Sequence, residues 1–294
     1  PFFLPLLTTL NFNRYTSMLR KFIVNPRFLV THGLLCLASF LLAGCSKEIQ
    51  LDIPAYEPKM VLEFYLEDNK SLNCLLQESI NFTDTSRFKL IDNALIVLSY
   101  NGTKDTLANR FNFDLKFEKF YNYHNPKIIQ LEPNAEYEVY VRDTRGREMR
   151  GRTRLMASVP IDTLTYNFNS KNKASVGLVF NDNGNTKSNY RIVAYKDNFI
   201  VKQDSIWDIT FSDLLFNGKQ FSFYTGYAYD PGDTVTSRLY HLTDEHNNFR
   251  ESVSNAQSSN GNPFGQPANI ISNVSGGLGV FTTVIYTEKK IVIR

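Results

Sequence analysis

Leu131-Glu-Pro133-Asn-Ala-Glu-Tyr137-Glu-Val139-Tyr-Val141 is the stretch from which the fold of this chain is read. Tyr137, Val139 and Val141 recur at every second position, so they share one face of a strand. Pro133 and Asn134 ahead of them discourage a helix and turn the chain into that strand. The same alternation with the same punctuation extends outward on both sides. Met60–Leu66 and Asn73–Ser79 flank a turn at Asp68-Asn69, and Ala94–Tyr100 runs into Asn101-Gly102, the strongest short hairpin signal. Lys127–Leu131 follows a polar aromatic loop, and Asp143-Thr-Arg-Gly146 turns the chain back into Glu148–Met156. Further on, Ala174–Phe180, Tyr190–Tyr195, Gln220–Tyr224, Thr234–Leu242, Val280–Tyr286 and Lys290–Ile293 read as strands, with a turn at Asp182-Asn-Gly184-Asn185.

The Leu-x-Pro-x-x-x-Tyr-x-Val-x-Val spacing resembles the tyrosine corner of immunoglobulin-like and fibronectin type III sandwiches, in which the ring is buried and its hydroxyl bonds backbone upstream. The expected class is therefore all-β, with two β-sandwich domains, 59–158 and 159–294, meeting at Ser158-Val-Pro160. One segment departs from period two. Thr243-Asp-Glu-His begins with a helix cap, and Phe249, Val253 and Ala256 follow at i, i+4 and i+7, so a short amphipathic helix is expected near 243–256.

The N-terminus carries a different signal. Gly33-Leu-Leu-Cys-Leu-Ala-Ser-Phe-Leu-Leu-Ala-Gly-Cys45 is an apolar run behind Arg20, Lys21 and Arg27. A basic segment, a short apolar core and small residues at the cut compose a secretory signal. The run falls short of the roughly 20 apolar residues of a membrane span. Its Leu-Ala-Gly-Cys ending resembles a bacterial lipobox, so residues 1–44 are expected to be upstream residues and signal peptide. Residues 1–17 then precede a start at Met18. Cys45 is expected to take the lipid, with 45–58 as an extended tether. Ser46-Lys47-Glu48 resembles an export signal for surface lipoproteins, which leaves the cell surface and the periplasmic face both open.

Residues 1–44 hold four basic side chains and no carboxylate, so the remainder carries 28 Lys+Arg against 29 Asp+Glu. A balance of −1 provides no electrostatic footprint for nucleic acid. With Cys36 in the signal and Cys45 lipidated, Cys74 is left alone in a strand-like run, as a buried inert thiol.

Chemistry-bearing patterns are few. Asn273-Val-Ser-Gly276-Gly277-Leu-Gly279 lacks the following helix of a phosphate loop, since Val280–Tyr286 reads as a strand, and a glycine turn or bulge is expected. His241, Asp244, Glu245 and His246 fit neither zinc-hydrolase spacing, so no metal and no cofactor is expected. There is no Gly-x-Ser-x-Gly elbow and no conspicuous carboxylate pair. The candidate contact residues are aromatic: Tyr121 and Tyr123, Trp207, Tyr227 and Tyr229, and Phe264. Ordinary sandwich core is the competing reading for each.

The C-terminal residues Asn262-Pro-Phe264…Pro267-Ala-Asn269…Asn273-Val-Ser-Gly276-Gly277-Leu-Gly279-Val-Phe281 resemble the closing signature of the DUF4249 lipoproteins of the Bacteroidota. Cys45-Ser-Lys-Glu48…Leu51-Asp52-Ile-Pro54…Tyr56-Glu-Pro58-Lys59…Val61 is similar to that family's opening. The resemblance implies an outer-membrane lipoprotein that accompanies TonB-dependent transporters, and it supplies no catalytic residues. The expected function is non-enzymatic: an accessory or ligand-capturing subunit, anchored to the membrane by lipid. An envelope hydrolase of glycans or peptides, or a purely structural envelope protein, are the alternatives.

Overall fold

Inward apolar and outward polar residues alternate strictly along the first strand, and the rest of the fold follows the same rule. The computed structural model describes Val30 and residues 57–80, 88–114, 119–133, 135–197, 207–259 and 269–294. The signal peptide, Cys45, most of the tether and Phe264 lie outside the described residues. Eight strands come first: β1 (Met60–Glu67), β2 (Lys70–Glu78), β3 (Lys89–Leu90), β4 (Leu95–Tyr100), β5 (Thr103–Asp114), β6 (Lys119–Ile129), β7 (Glu136–Arg142) and β8 (Glu148–Arg154). Then come β9 (Thr163–Phe168), β10 (Ala174–Asn181), β11 (Asn189–Lys196), β12 (Trp207–Ser212), β13 (Gln220–Tyr224) and β14 (Thr234–Leu242). Helix α1 (Asp244–Ser259) precedes β15 (Val274–Ser275) and the long β16 (Leu278–Val292). The chain is all-β with one helix longer than a turn among the described residues.

Two packed cores organise these strands. In the first, β16, β1, β2 and β6 form one layer, and β4, β7, β8 and β15 form the other. Strand β5 joins them, since Thr103–Leu107 pair with β4 while Ala108–Asp114 pair with β6. Leu62, Phe64, Ile96, Leu98, Tyr137, Val139 and Met149 meet between the layers. In the second core, β12, β11, β14 and the far half of β16 face β13, β10 and β9, with Ile161, Leu178, Phe180, Tyr190 and Leu239 between them. Here rings do much of the packing. Phe180, Tyr190, Phe216 and Phe221 interlock at centroid separations of 4.2–6.2 Å, within the range of favourable aromatic pairs.

The corner is present as its spacing implies. Tyr137 is fully buried, and the Glu132 N–H donates to its hydroxyl at 2.8 Å. The Asn101-Gly102 turn has both residues at positive φ, 45° and 73°, the type I′ geometry whose twist matches the β4–β5 hairpin. Thr243 caps α1, its Oγ1 accepting the His246 N–H at 3.2 Å. The expected boundary near 158 falls in the segment between β8 and β9, yet the first core also takes Val274 and Phe281 from the far end of the chain. Residues 56–294 form one compact unit.

Two expectations need correcting. Val280–Tyr286 and the expected strand Lys290–Ile293 are not separate: both fall in β16, which ends at Val292, because pairing passes without a break from β1 to β14. Phe120–His124 is not a loop but the middle of β6. There Asn122 substitutes for missing backbone partners: its side chain accepts from the Leu76 N–H and donates to the carbonyls of Leu76 and Ile91.

The glycine run is structural. At Gly279 φ is +121°, and an added Cβ would stand inside the contact distance of the Leu62 carbonyl on β1. Gly276, at φ +78°, meets the Glu148 carbonyl of β8 in the same way. Only glycine lets the backbones approach this closely.

Two stability predictions follow from this packing. Tyr137→Phe, which strands the Glu132 N–H, should lower urea-derived stability by about 1–2 kcal/mol; an unchanged midpoint would contradict the corner's role. Gly279→Ala combines strain with overlap and should cost at least about 3 kcal/mol, visible as a large drop in melting temperature; a wild-type melting curve would refute the close approach.

Candidate functional site

The candidate site is a polar, tyrosine-rich face that runs across both halves of the long sheet, under α1. Parallel pairing places Tyr65 of β1 opposite Thr282 of β16, and antiparallel pairing lines up Tyr286, Tyr240 and Arg191 on β16, β14 and β11. Period two then puts Glu63, Tyr65 and Glu67 on one side of β1, with Val284 and Tyr286 beside them. Helix α1 is fastened at its start, because Thr243 Oγ1 lies 3.0 Å from Thr282 Oγ1. One turn later His246 stacks at a tilt on Tyr65, with ring centroids 5.3 Å apart. Arg250, four residues on, lies on the same helix face.

The face alternates rings and charges. Lys119 Nζ stands 4.4 Å above the Tyr65 ring and 3.6 Å from Glu63. Arg191 makes two bonds to Asp208, at 2.6 and 2.7 Å, while its guanidinium lies 5.2 Å from the centroid of Tyr240. Arg250 reaches the same Asp208 at 3.5 Å. Farther along, Arg238 pairs with Glu288 at 2.7 Å and covers Tyr286 at 4.6 Å, and the Tyr286 hydroxyl donates to Glu67 at 3.1 Å. Such cation–ring contacts stabilise by about 0.5–2 kcal/mol each, according to desolvation.

Burial governs the ionisation here. Desolvation raises the hydroxyl pKa of Tyr65, Tyr121, Tyr240 and Tyr286. Burial also lowers the Lys119 ammonium, although nearly half its side chain remains exposed, a combination that a concave surface gives. Arg250 is lowered by burial and then by Arg191. His246, 3% exposed, is pushed down to about 3 by burial, with Arg250, Arg191 and Lys119 adding to the effect. Its Nδ1 and the Nε of Arg250 have no hydrogen-bond partner among the described residues.

Of the residues expected from sequence, Tyr121 belongs to this face, half-buried beside Glu63 and Glu67. Tyr123 and Tyr229 do not reach any surface. Both are fully buried; the Tyr123 hydroxyl donates to the Ile91 carbonyl and accepts the Ala94 N–H, and Tyr229 packs against Ala174 and Val235. Trp207 lies against Gly226 and Tyr227 is half exposed, both away from the face. His241 and His246 point to different places: His241 stacks on Tyr190 in the second core and bonds the Ala157 carbonyl at 2.7 Å. Asp244 accepts from Asn189. Among the described residues no group of three or more His, Cys, Asp or Glu could hold a metal, and no helix is long and apolar enough to cross a membrane. Sequence reading missed Tyr65, Lys119, Arg191, Tyr240, Arg250 and Tyr286. The available signal was the outward position of each charge or ring within an alternating strand and, for Arg250, its place four residues after His246 on the helix.

A groove of about 340 Å³ opens at the first turn of α1, where Arg152, Arg154 and Lys187 meet Glu136, Asp244 and Glu245. Its charges balance within the groove, unlike those around His246.

Fold and face together define a β-sandwich protein with a charged, tyrosine-lined sheet surface. The chain belongs to the family described as domain of unknown function DUF4249, whose profile matches residues 46–290. No curated protein matches it. Among solved structures, it is similar to a chain of a cytokine receptor complex at 10% identity, covering 79% of this chain and 95% of that one, with a TM-score of 0.26. A two-domain fibronectin type III segment from chicken tenascin matches at 10% identity over 64% and 92% of the two chains, with a TM-score of 0.21.

Because the His246 pKa is depressed in the fold, the unfolded chain takes up a proton near pH 6.5 that the folded chain refuses until about pH 3. Stability contributed by the neutral ring is therefore present above pH 6.5 and lost as pH falls towards 3. Between pH 7 and 5 the loss should be about 2 kcal/mol. Comparing urea unfolding of the parent and His246→Gln at both pH values checks this: the variant should lose that part of the slope, and equal slopes would show that His246 already protonates normally.

Proposed function

We propose that this chain is an outer-membrane lipoprotein, held by acyl chains on Cys45, that captures a ligand without transforming it and works beside a TonB-dependent transporter. The observation that carries the ligand-capturing part is the chemical character of the face. Its tyrosine hydroxyls are raised above their ordinary pKa and stay protonated, its guanidinium groups are too basic to give up their protons, and its histidine stays neutral. A general acid or base works best with a pKa near the operating pH; these groups are displaced from it and suited to hold rather than to exchange protons. Rings interleaved with cations are what adhesive surfaces use, giving large contact area at low entropic cost.

The anchor is supported by the basic-then-apolar segment ending in Leu42-Ala43-Gly44-Cys45. Membership of the DUF4249 family agrees with the resemblance on which the transporter association rests. A single acyl chain holds a protein to a bilayer only marginally, whereas two or more hold it stably. The near-neutral balance beyond Cys45 leaves lipid, rather than surface charge, to provide attachment.

The test uses the full chain, tagged at its C-terminus and produced in its native envelope. Mass spectrometry should find acyl groups on Cys45, Cys45→Ser should move the protein from membrane to soluble fractions, and a transporter barrel should co-purify with the parent. Incubation with glycans and peptides should give retention without products. An unmodified Cys45 thiol, or turnover of any of these substrates, would overturn the reading.

A further inference from the structure

We propose that the end of the tyrosine-lined face nearest His246 is a receptor for an oxyanion, the carboxylate or phosphate group of a small ligand, held by Lys119, Arg191 and Arg250. This rests on the ligand-capturing reading above and names the chemistry of what is captured.

Three cations, Lys119, Arg191 and Arg250, share two carboxylates, Glu63 and Asp208. Farther along, Arg238 pairs with Glu288, Glu67 keeps its charge beside the Tyr286 hydroxyl, and Asp114, opposite Lys119 across β5–β6, acts on Tyr121. Positive charge is therefore in excess only immediately around His246, where the charges that act on the ring are Arg250, Arg191 and Lys119. Both oxygens of Asp208 already accept from Arg191, and Arg250 has only a 3.5 Å contact to it. Among the described residues the Nε–H of Arg250 meets no acceptor, and His246 Nδ1 has no hydrogen-bond partner. Buried donors without partners cost roughly 1–3 kcal/mol, so such groups call for an explanation.

An oxyanion meets each of these needs. It supplies two or more oxygens, each with free lone pairs, to guanidinium and ammonium donors. It also cancels the excess charge in a region where burial strengthens electrostatics. Access is open from the rim. The side chain of Lys119 is 46% exposed, that of Arg250 32% and that of Arg191 20%. Arg250 can present its Nε–H to a ligand by a rotamer change, drawing on its weak hold of Asp208. Tyr65 and Tyr240 then form the floor, each already facing a cation. A neutral sugar or peptide would leave the excess charge uncompensated.

The experiment titrates the full chain with glucuronate, with inorganic phosphate and with neutral glucose, following nitrogen-detected NMR signals of His246 and Arg250 and the heat of binding. At least one anion should bind saturably and shift both signals, more weakly as salt is raised, while glucose does nothing. Arg250→Met and Lys119→Met should each weaken that binding at least ten-fold. Lys119 stands at the rim, so its variant should keep the parent's circular dichroism and melting temperature even if the helix variant does not. Binding of glucuronate alone identifies an organic acid, and of phosphate alone a phosphorylated ligand; either supports the site. Absence of binding by both anions, equal binding of glucose, or undiminished binding by a folded Lys119→Met would overturn it. If both anions fail while a neutral glycan is still retained, the oxyanion falls and ligand capture stands.

Discussion

Strand β16 is the constraint on which the rest of the structure depends. Its first half, Leu278–Val284, runs parallel to β1, and its second half pairs antiparallel with β14. One unbroken strand thus closes the first core and enters the second. Parallel neighbours cannot be joined by a hairpin, and here the two strands come from opposite ends of the described chain. The approach is possible because Gly276 and Gly279 take positive φ and carry no Cβ where the carbonyls of Glu148 and Leu62 intrude. The energetic return is the Phe281 ring, fully buried and packed at 5.4 Å on Phe64, which stabilises the fold by about 1.5–3 kcal/mol on hydrophobic grounds alone.

Continuity of that strand also creates the site. With β1 and β14 flanking it, outward side chains of strands far apart in sequence fall on one surface: Tyr65, Tyr286, Tyr240 and Arg191. The Thr243–Thr282 contact then seats the helix over them, so that capping and docking are achieved by one side chain. What began as an exposed polar sheet face becomes a crowded one. Crowding under the helix explains why the tyrosines are raised and Lys119 and the buried His246 lowered while Lys119 still meets solvent.

Much of the fold was legible in the sequence because its signals are local. The corner at Tyr137, the Asn101-Gly102 turn, the Thr243 cap and the glycine run each depend on a few neighbouring residues, and each has the geometry its chemistry implies. The site was not legible, because its members share no window of sequence. Tyr121 and Tyr123 illustrate the difficulty. Both are aromatic, two residues apart in a polar setting, and read alike. Tyr123 goes inward, where the Ile91 carbonyl and Ala94 N–H satisfy its hydroxyl, partners supplied by the turn before β4 rather than by its own strand. Tyr121 remains on the charged face because Asn122, not a ring, fills the gap beside Leu76. Local composition contains neither fact.

The charges of the face also bear on why it is built this way. Buried or crowded ion pairs seldom add stability over apolar residues of similar volume, since desolvation offsets their attraction. The first core shows the alternative at close hand: on the opposite side of β1, Leu62, Phe64 and Leu66 are packed dry. Aliphatic residues are available on this side of the sheet too, since Val193, Leu242 and Val284 cluster there. Instead α1 brings Arg250 towards Arg191 and Lys119, and each lowers or is lowered by another. Such mutual repulsion costs stability in the free protein and is relieved when negative charge arrives from outside. The strain is confined to one helix turn and two strand positions, beside a core that does not share it. On the proposed ligand-capturing reading, charge held against its own repulsion beside His246 is set out in advance for an incoming anion rather than for folding.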